Sequence, residues 1–181
     1  EDISMFRALP NSIVFYPCDA VSMEKLTILS SKINGIKYIR STREKTPIIY
    51  KNTEEFKIGE FKVLKETNHD QVVIAGSGIT LHESLEAYEE LKKQKINCAV
   101  IDLYCIKPFD SKKFINFVKK HGSKIIISED HRIEGGIGEM IAKKIANTNI
   151  KLKHLAVNEI PHSGSPKELL KKYEIDSNAV I

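Results

Sequence analysis

The chain has no tryptophan and only three methionines, so it offers neither a membrane-wedging indole nor a methionine-rich groove. Its longest stretch without Asp, Glu, Lys or Arg runs from Gln71 to His82. That is far too short and too polar to span a bilayer. The sequence does not open on Met, and no basic segment followed by an apolar run suggests a signal peptide. Charge of one sign is scarce. Against 28 Lys and Arg stand 24 Asp and Glu, a net of +4 with both signs interspersed, which points to neither nucleic acid nor a membrane surface. Cysteines are few and odd in number (Cys18, Cys98, Cys105), without metal-ligand spacing. The expectation is buried thiols in a reducing, cytoplasmic compartment. What is present is a globular mixture over 181 residues, 41% hydrophobic and 29% charged, enough for one domain or two small ones.

Two α/β stretches flank a polar connector. In the first, Ile3, Phe6 and Leu9 predict a helix ending before Pro10, and Ser12–Tyr16 a short strand closed by Pro17. Val21–Ile33 carries a helical apolar face, and Asn34-Gly35 ends it because glycine accepts a left-handed conformation. Lys37–Arg40 reads as a second strand and Pro47–Tyr50 as a third. Residues 51–60 are polar and read as a linker. Beyond them strands are predicted at Lys62–Leu64, Gln71–Ala75, Cys98–Leu103, Lys124–Ser128 and Lys153–Val157, with helices at Leu81–Gln94, Ser111–His121, Ile137–Ala146 and Lys167–Tyr173. Such alternation means a three-layer α/β fold, a mostly parallel sheet with helices on both faces. The first stretch has too few elements to close a core alone, and its apolar residues Val14, Phe15, Ile39, Ile48 and Ile49 are expected to seek a partner surface.

Four segments carry possible chemistry. Ala75-Gly-Ser-Gly-Ile-Thr80 is either a phosphate cradle at a helix N-terminus or, more simply, the start of a helix whose capping box is Thr80 with Glu83. Ser165, Pro166 and Glu168 spell a second capping box. Glu129, Asp130 and His131 follow a buried strand and precede a glycine cluster. A carboxylate beside an imidazole suits a general-base pair, and a polar loop against another subunit suits equally well. Arg40-Ser-Thr-Arg43 lies just past a strand, where two guanidinium forks suit a phosphate, or where two arginines make solvated surface ion pairs.

Taken in order, Glu1–Arg7, Val14–Pro17, Ile39–Arg43, Ala75–Glu83, Ile106–Asp110, Glu129–His131, Gly135–Glu139 and Ser163–Leu170 resemble transketolases of the animal type over essentially the whole chain. The resemblance implies three assignments. Residues 1–50 are the latter part of a pyrimidine-binding domain, incomplete here, 51–60 the linker, and 61–181 the C-terminal domain. It implies transfer of a two-carbon ketol unit from a ketose phosphate to an aldose phosphate in the pentose phosphate pathway. Thiamine diphosphate and a divalent metal, magnesium or calcium, serve in a cytoplasmic homodimer. Arg43 matches the family's arginine that grips the sugar phosphate. The family's activating glutamate, metal-binding acidic motif, pyrimidine-stacking aromatics and sugar-facing histidines match nothing between Glu1 and Ile181, so no catalytic, cofactor or metal residue is assigned, and the chain alone is expected to be inactive. Its expected partners are sugar phosphates, a second copy and the remaining N-terminal portion of the same enzyme, not nucleic acid or membrane. Arg132-Ile133 departs from the aromatics usual at that loop. Rival readings are a related thiamine enzyme (1-deoxyxylulose-5-phosphate synthase or a 2-oxo-acid dehydrogenase β subunit) and a truncated, non-catalytic interaction module.

Overall fold

The computed structural model describes all 181 residues. In chain order its first elements are α1 (Asp2–Ala8), β1 (Ile13–Phe15), α2 (Ala20–Ser31), β2 (Lys37–Ile39), β3 (Lys62–Lys65), β4 (Val72–Gly76) and α3 (Ile79–Lys93). Then come β5 (Cys98–Asp102), β6 (Cys105–Lys107), α4 (Ser111–Lys120), β7 (Lys124–Arg132), α5 (Ile137–Ile145), β8 (Lys151–Val157), α6 (Pro166–Lys172) and α7 (Ser177–Val180).

The strands form two sheets. The larger has the order β3-β5-β4-β7-β8, with β4, β5, β7 and β8 parallel and β3 antiparallel at the edge. Its central strands β4 and β5 are buried on both sides, as parallel strands inside a sheet must be, and every residue of β5 is buried. The period of two along a strand assigns the faces. Val73 and Ala75 point into one core with Phe114 and Val118 of α4 and Ile137 and Ile141 of α5. Ile74 points into the other with Leu81, Ala87 and Leu91 of α3. The three-layer α/β architecture expected from the sequence is therefore present.

The smaller sheet has the order β2-β1-β6. β1 and β2 run parallel, and β6 joins antiparallel from beyond the connector. This strand was not predicted, because its three residues follow β5 directly and precede Pro108. It removes much of the exposure expected of the first stretch. Val14 and Phe15 are fully buried, Val14 in the core of one face and Phe15 in that of the other. Ile39 and Ile49 are half-buried, and Ile48 alone of the five stays exposed.

Other expectations are corrected. Pro47–Tyr50 is not a strand; it is an extended segment whose Ile49 and Tyr50 N–H groups both donate to Asp19 Oδ2 at 2.9 Å. Asp19 also caps α2, accepting from Ser22 N–H at 2.7 Å. Helix α3 starts two residues before Leu81, and Thr80 and Glu83 form no capping box. The Thr80 hydroxyl donates to the Ser128 carbonyl at 2.7 Å, and Glu83 accepts from Ser177 N–H at the start of the unpredicted α7. The capping box of α6 is present: the Ser165 N–H and hydroxyl both donate to Glu168. Residues 51–60 are fastened down, since the Tyr104 hydroxyl donates to Lys57 O at 2.8 Å and Asp110 N–H to Gly59 O at 2.8 Å.

Candidate functional site

The chain leaves β2 at Arg40, whose N–H still donates to the Phe15 carbonyl. The Arg40 side chain turns inward, with 17% of its surface exposed. Its Nε reaches Asp2 Oδ2 at 2.8 Å, its Nη1 Asp130 Oδ1 at 2.7 Å, and its Nη2 the Asp130 carbonyl at 3.1 Å. The guanidinium lies over the Tyr16 ring, 4.6 Å from its centre. Tyr16 donates from its hydroxyl to both Asp130 oxygens, at 3.0 and 3.1 Å, and Tyr38 donates to Asp2 at 2.6 Å. Burial alone would lower the Arg40 pKa; Asp130, Tyr16 and Asp2 outweigh it and raise it. The Tyr16 phenol is pushed well up, by burial first and by Asp130 next.

Three residues on, Arg43 is exposed. The ion pairs nearby go to Arg40 and Arg132 and leave it free. It lines an open cleft of about 350 Å³. One wall is residues 40–44, the other Pro161, His162, Leu169 and Tyr173, and Ile79 and Asp130 also line it. The Tyr173 hydroxyl accepts from His162 N–H at 2.6 Å and fixes the far wall. The arrangement offers one unpaired cation beside polar Ser41 and Thr42, facing a largely apolar wall. In the sequence Arg40 and Arg43 read as one pair; the fold gives them opposite surroundings.

Glu129, Asp130 and His131, expected just past a strand, lie within the end of β7, and this stretch proves to be architecture. The buried Glu129 carboxylate accepts from Ile137 N–H at 2.6 Å, Gly138 N–H at 2.9 Å and His154 Nε2 at 2.6 Å. It caps α5, and Gly136 and Gly138 make room: a Cβ on Gly136 would overlap the carboxylate, and one on Gly138 the His154 ring. His131 is not its partner. His131 Nδ1 donates to the Arg132 carbonyl at 2.8 Å, and Nε2 faces Ser4 N–H at 3.5 Å. The Gly135 turn packs within the chain, against Ser4, with Arg7 donating to the carbonyls of Gly135 and Gly136. A further acid, not singled out from the sequence, is Asp102, which closes the otherwise apolar β5. It is fully buried, accepts from the Tyr50 hydroxyl at 2.7 Å, and leaves Oδ1 without a hydrogen-bond partner. Burial pushes its carboxyl up to about 7 despite that hydrogen bond.

The residues do not fit a diphosphate or a metal. The Gly-Ser-Gly turn before α3 is covered by Tyr16, whose ring occupies the space a Cβ on Gly78 would need. The glycine-rich start of α5 is filled by Glu129. No group of three or more His, Cys, Asp or Glu side chains is arranged around a common point.

Comparison with known proteins adds a family. Residues 59–180 match the model of the transketolase C-terminal domain. Human transketolase is 45% identical over 181 residues, covering 99% of this chain and 29% of that protein. Bovine transketolase-like protein 1 is 45% identical, covering 100% of this chain and 30% of its own length. The chain thus spans under a third of these curated relatives. A solved split-gene transketolase, described as an inactive β4 tetramer, superposes with a TM-score of 0.90 at 29% identity, covering 99% of this chain and 58% of that one. Campylobacter jejuni transketolase superposes at 0.69 with 19% identity, covering 99% and 27%, a likeness of fold.

Proposed function

The chain belongs to the transketolase family, and on that premise we propose that it is the part of a transketolase that presents Arg43 to the phosphate of a sugar substrate. The complete enzyme then moves a two-carbon ketol unit from a ketose phosphate to an aldose phosphate, within the pentose phosphate pathway. Thiamine diphosphate and magnesium or calcium belong to the rest of that enzyme, and this chain alone does not turn over. Its residues 1–50 complete a pyrimidine-binding domain, 51–60 link, and 61–181 form the C-terminal domain, a division supported by the family match beginning at residue 59. A second copy packs to form a homodimer; exposed Met5, Ile48 and Ile160, at 60%, 66% and 79%, supply apolar surface for such contacts. The assembled, inactive relative supports both the self-association and the inactivity alone. Three buried free thiols favour a reducing compartment such as the cytoplasm.

The observation that carries the reading is an exposed, unpaired guanidinium at the mouth of a cleft, just past the end of a strand. Its planar fork engages two phosphate oxygens at once. Losing one charge-assisted contact costs about 1.5–3 kcal/mol. Arg43→Ala in the complete enzyme therefore lowers kcat/KM for sugar phosphates roughly ten- to a hundred-fold, mainly through KM, because the phosphate is remote from the bond that breaks. Arg43→Lys recovers part of the loss. With a short hydroxy-keto acid donor that carries no phosphate, the loss is far smaller. Equal losses on both donors would mean that Arg43 serves the fold or the cofactor instead.

A further inference from the structure

Arg43 reaches its cleft on a segment with little internal support. No backbone–backbone hydrogen bond holds residues 41–48, and the one side-chain bond within it, Thr42 Oγ1 to Glu44 O, is long at 3.4 Å. The segment is pinned at its two ends. At the far end Asp19 takes the N–H groups of Ile49 and Tyr50. At the near end stands Arg40, three residues from Arg43, so the two Cα atoms lie within roughly 10 Å whatever the conformation between them. Where Arg40 sits decides where Arg43 is tethered.

Arg40 is suited to pinning and unsuited to ligand binding. Nε, Nη1 and Nη2 each already donate, to Asp2, the Asp130 carboxylate and the Asp130 carbonyl, and one face covers Tyr16. Those partners come from three places: α1, the residue after β1, and β7 of the larger sheet. Asp130 also lines the Arg43 cleft, so the clamp joins the loop to the cleft it serves.

We propose that Arg40, through Asp130, is the positioning residue for Arg43: it fixes the exit of the chain from β2 against the larger sheet, and so holds the Arg43 guanidinium at the cleft mouth. The proposal rests on the reading of Arg43 as the phosphate ligand. A misplacement of the order of 1 Å weakens a bidentate contact without removing the charge. Loss of Arg40 should therefore resemble a partial loss of Arg43, on the same substrates.

The test is steady-state kinetics of the complete, cofactor-loaded enzyme with a sugar-phosphate donor and with a hydroxy-keto acid donor lacking phosphate. The readout is the ratio of the two KM values. Arg40→Gln is expected to raise that ratio about tenfold, less than Arg43→Ala does. The double variant Arg40→Gln/Arg43→Ala should exceed Arg43→Ala by less than about twofold, since a residue acting through another does not add to its loss. Asp130→Asn keeps an acceptor for Tyr16 and weakens the charged pair. It should shift the ratio in the same direction, and it carries the test if Arg40→Gln does not fold. Arg40→Lys should restore part of the change. A fall in kcat on both donors with no change in the ratio, or losses that add fully to those of Arg43→Ala, overturns the proposal. If Arg43→Ala itself leaves the ratio unchanged, the phosphate reading fails first, and the proposal falls with it.

Discussion

Replacing Glu129 with alanine should cost stability and leave no specific mark on catalysis. The carboxylate is 1% exposed and holds three donors: the N–H groups of Ile137 and Gly138, and His154 Nε2. Alanine strips the two buried amides of their acceptor at about 1–3 kcal/mol each. It also removes a negative charge from the first turn of α5, worth up to about 2 kcal/mol in a buried geometry. Water entering the space left behind recovers some of this, because three donors converge there. The expected sum is about 3–5 kcal/mol, in the range seen when one partner of a buried pair is removed. That is a large fraction of the roughly 5–15 kcal/mol that holds a domain folded. Glu129→Gln keeps the shape, but its amide can turn only one oxygen toward donors, so it should lose less than alanine, about 1.5–3 kcal/mol. His154→Ala leaves both backbone bonds in place and should cost least. Urea titration followed by far-ultraviolet circular dichroism measures all three, with an unchanged slope showing that the unfolded state is the same. The reasoning is refuted if Glu129→Ala lies within about 1 kcal/mol of the parent, or if His154→Ala costs more than Glu129→Ala. A general base would show the opposite pattern, with stability kept and turnover lost.

Two further outcomes follow from buried groups. Asp102 is held up at about 7 from an ordinary 3.8, so between those values the folded state carries a proton that the unfolded state lacks. Stability should therefore fall as pH rises from about 4 to 7, by at most about 1.4 kcal/mol per pH unit from this one group, and Asp102→Asn should flatten that part of a stability-versus-pH curve measured by urea unfolding. An unchanged slope in the variant would remove Asp102 as its source. Gly78→Ala places a methyl group into the Tyr16 ring at a φ of +53°, so the loop must strain or Tyr16 must move. The melting temperature should drop by about 5–15 °C on a cost of about 2–5 kcal/mol, and an unchanged melting point would show that the turn has room.

Periodicity revealed the larger sheet and its long helices, because each buries a face against a layer close in sequence. α4 shows this best, with Phe114 and Val118 four apart on its buried side. What stayed hidden depended on partners distant in sequence. β6 is too short to show a period, and its pairing with β1 joins residues some ninety positions apart. Thr80 and Glu83 have the spacing of a cap, but Gly78 lets the helix start earlier, Thr80 is drawn to Ser128 and Glu83 to Ser177. Glu129 and His131 stand two apart in β7, the spacing that puts side chains on one face of a regular strand, but the register against β8 shifts between Ser128 and Arg132, and the imidazole that reaches Glu129 is His154 of β8. Arg40 and Arg43 were legible as a pair of arginines past a strand. Which of them is committed to Asp130 and which stays free depends on how the two sheets meet.

The strand that β6 adds to the first sheet makes the two parts of the chain complementary rather than separable. A protease cutting within residues 51–60 would sever the polypeptide between β2 and β3, yet leave β1 bonded to β6 and Arg40 clamped to Asp130. The nicked product should hold together as two interlocked pieces. Residues 61–181 made by themselves would expose the β6 edge that β1 covers, and exposed edges recruit other strands. The same interlock passes through both cores, since Val14 packs into one and Phe15 into the other. Insertions in evolution would be borne better at the surface loops than at this shared strand, where a shift of one residue would disturb both sheets together.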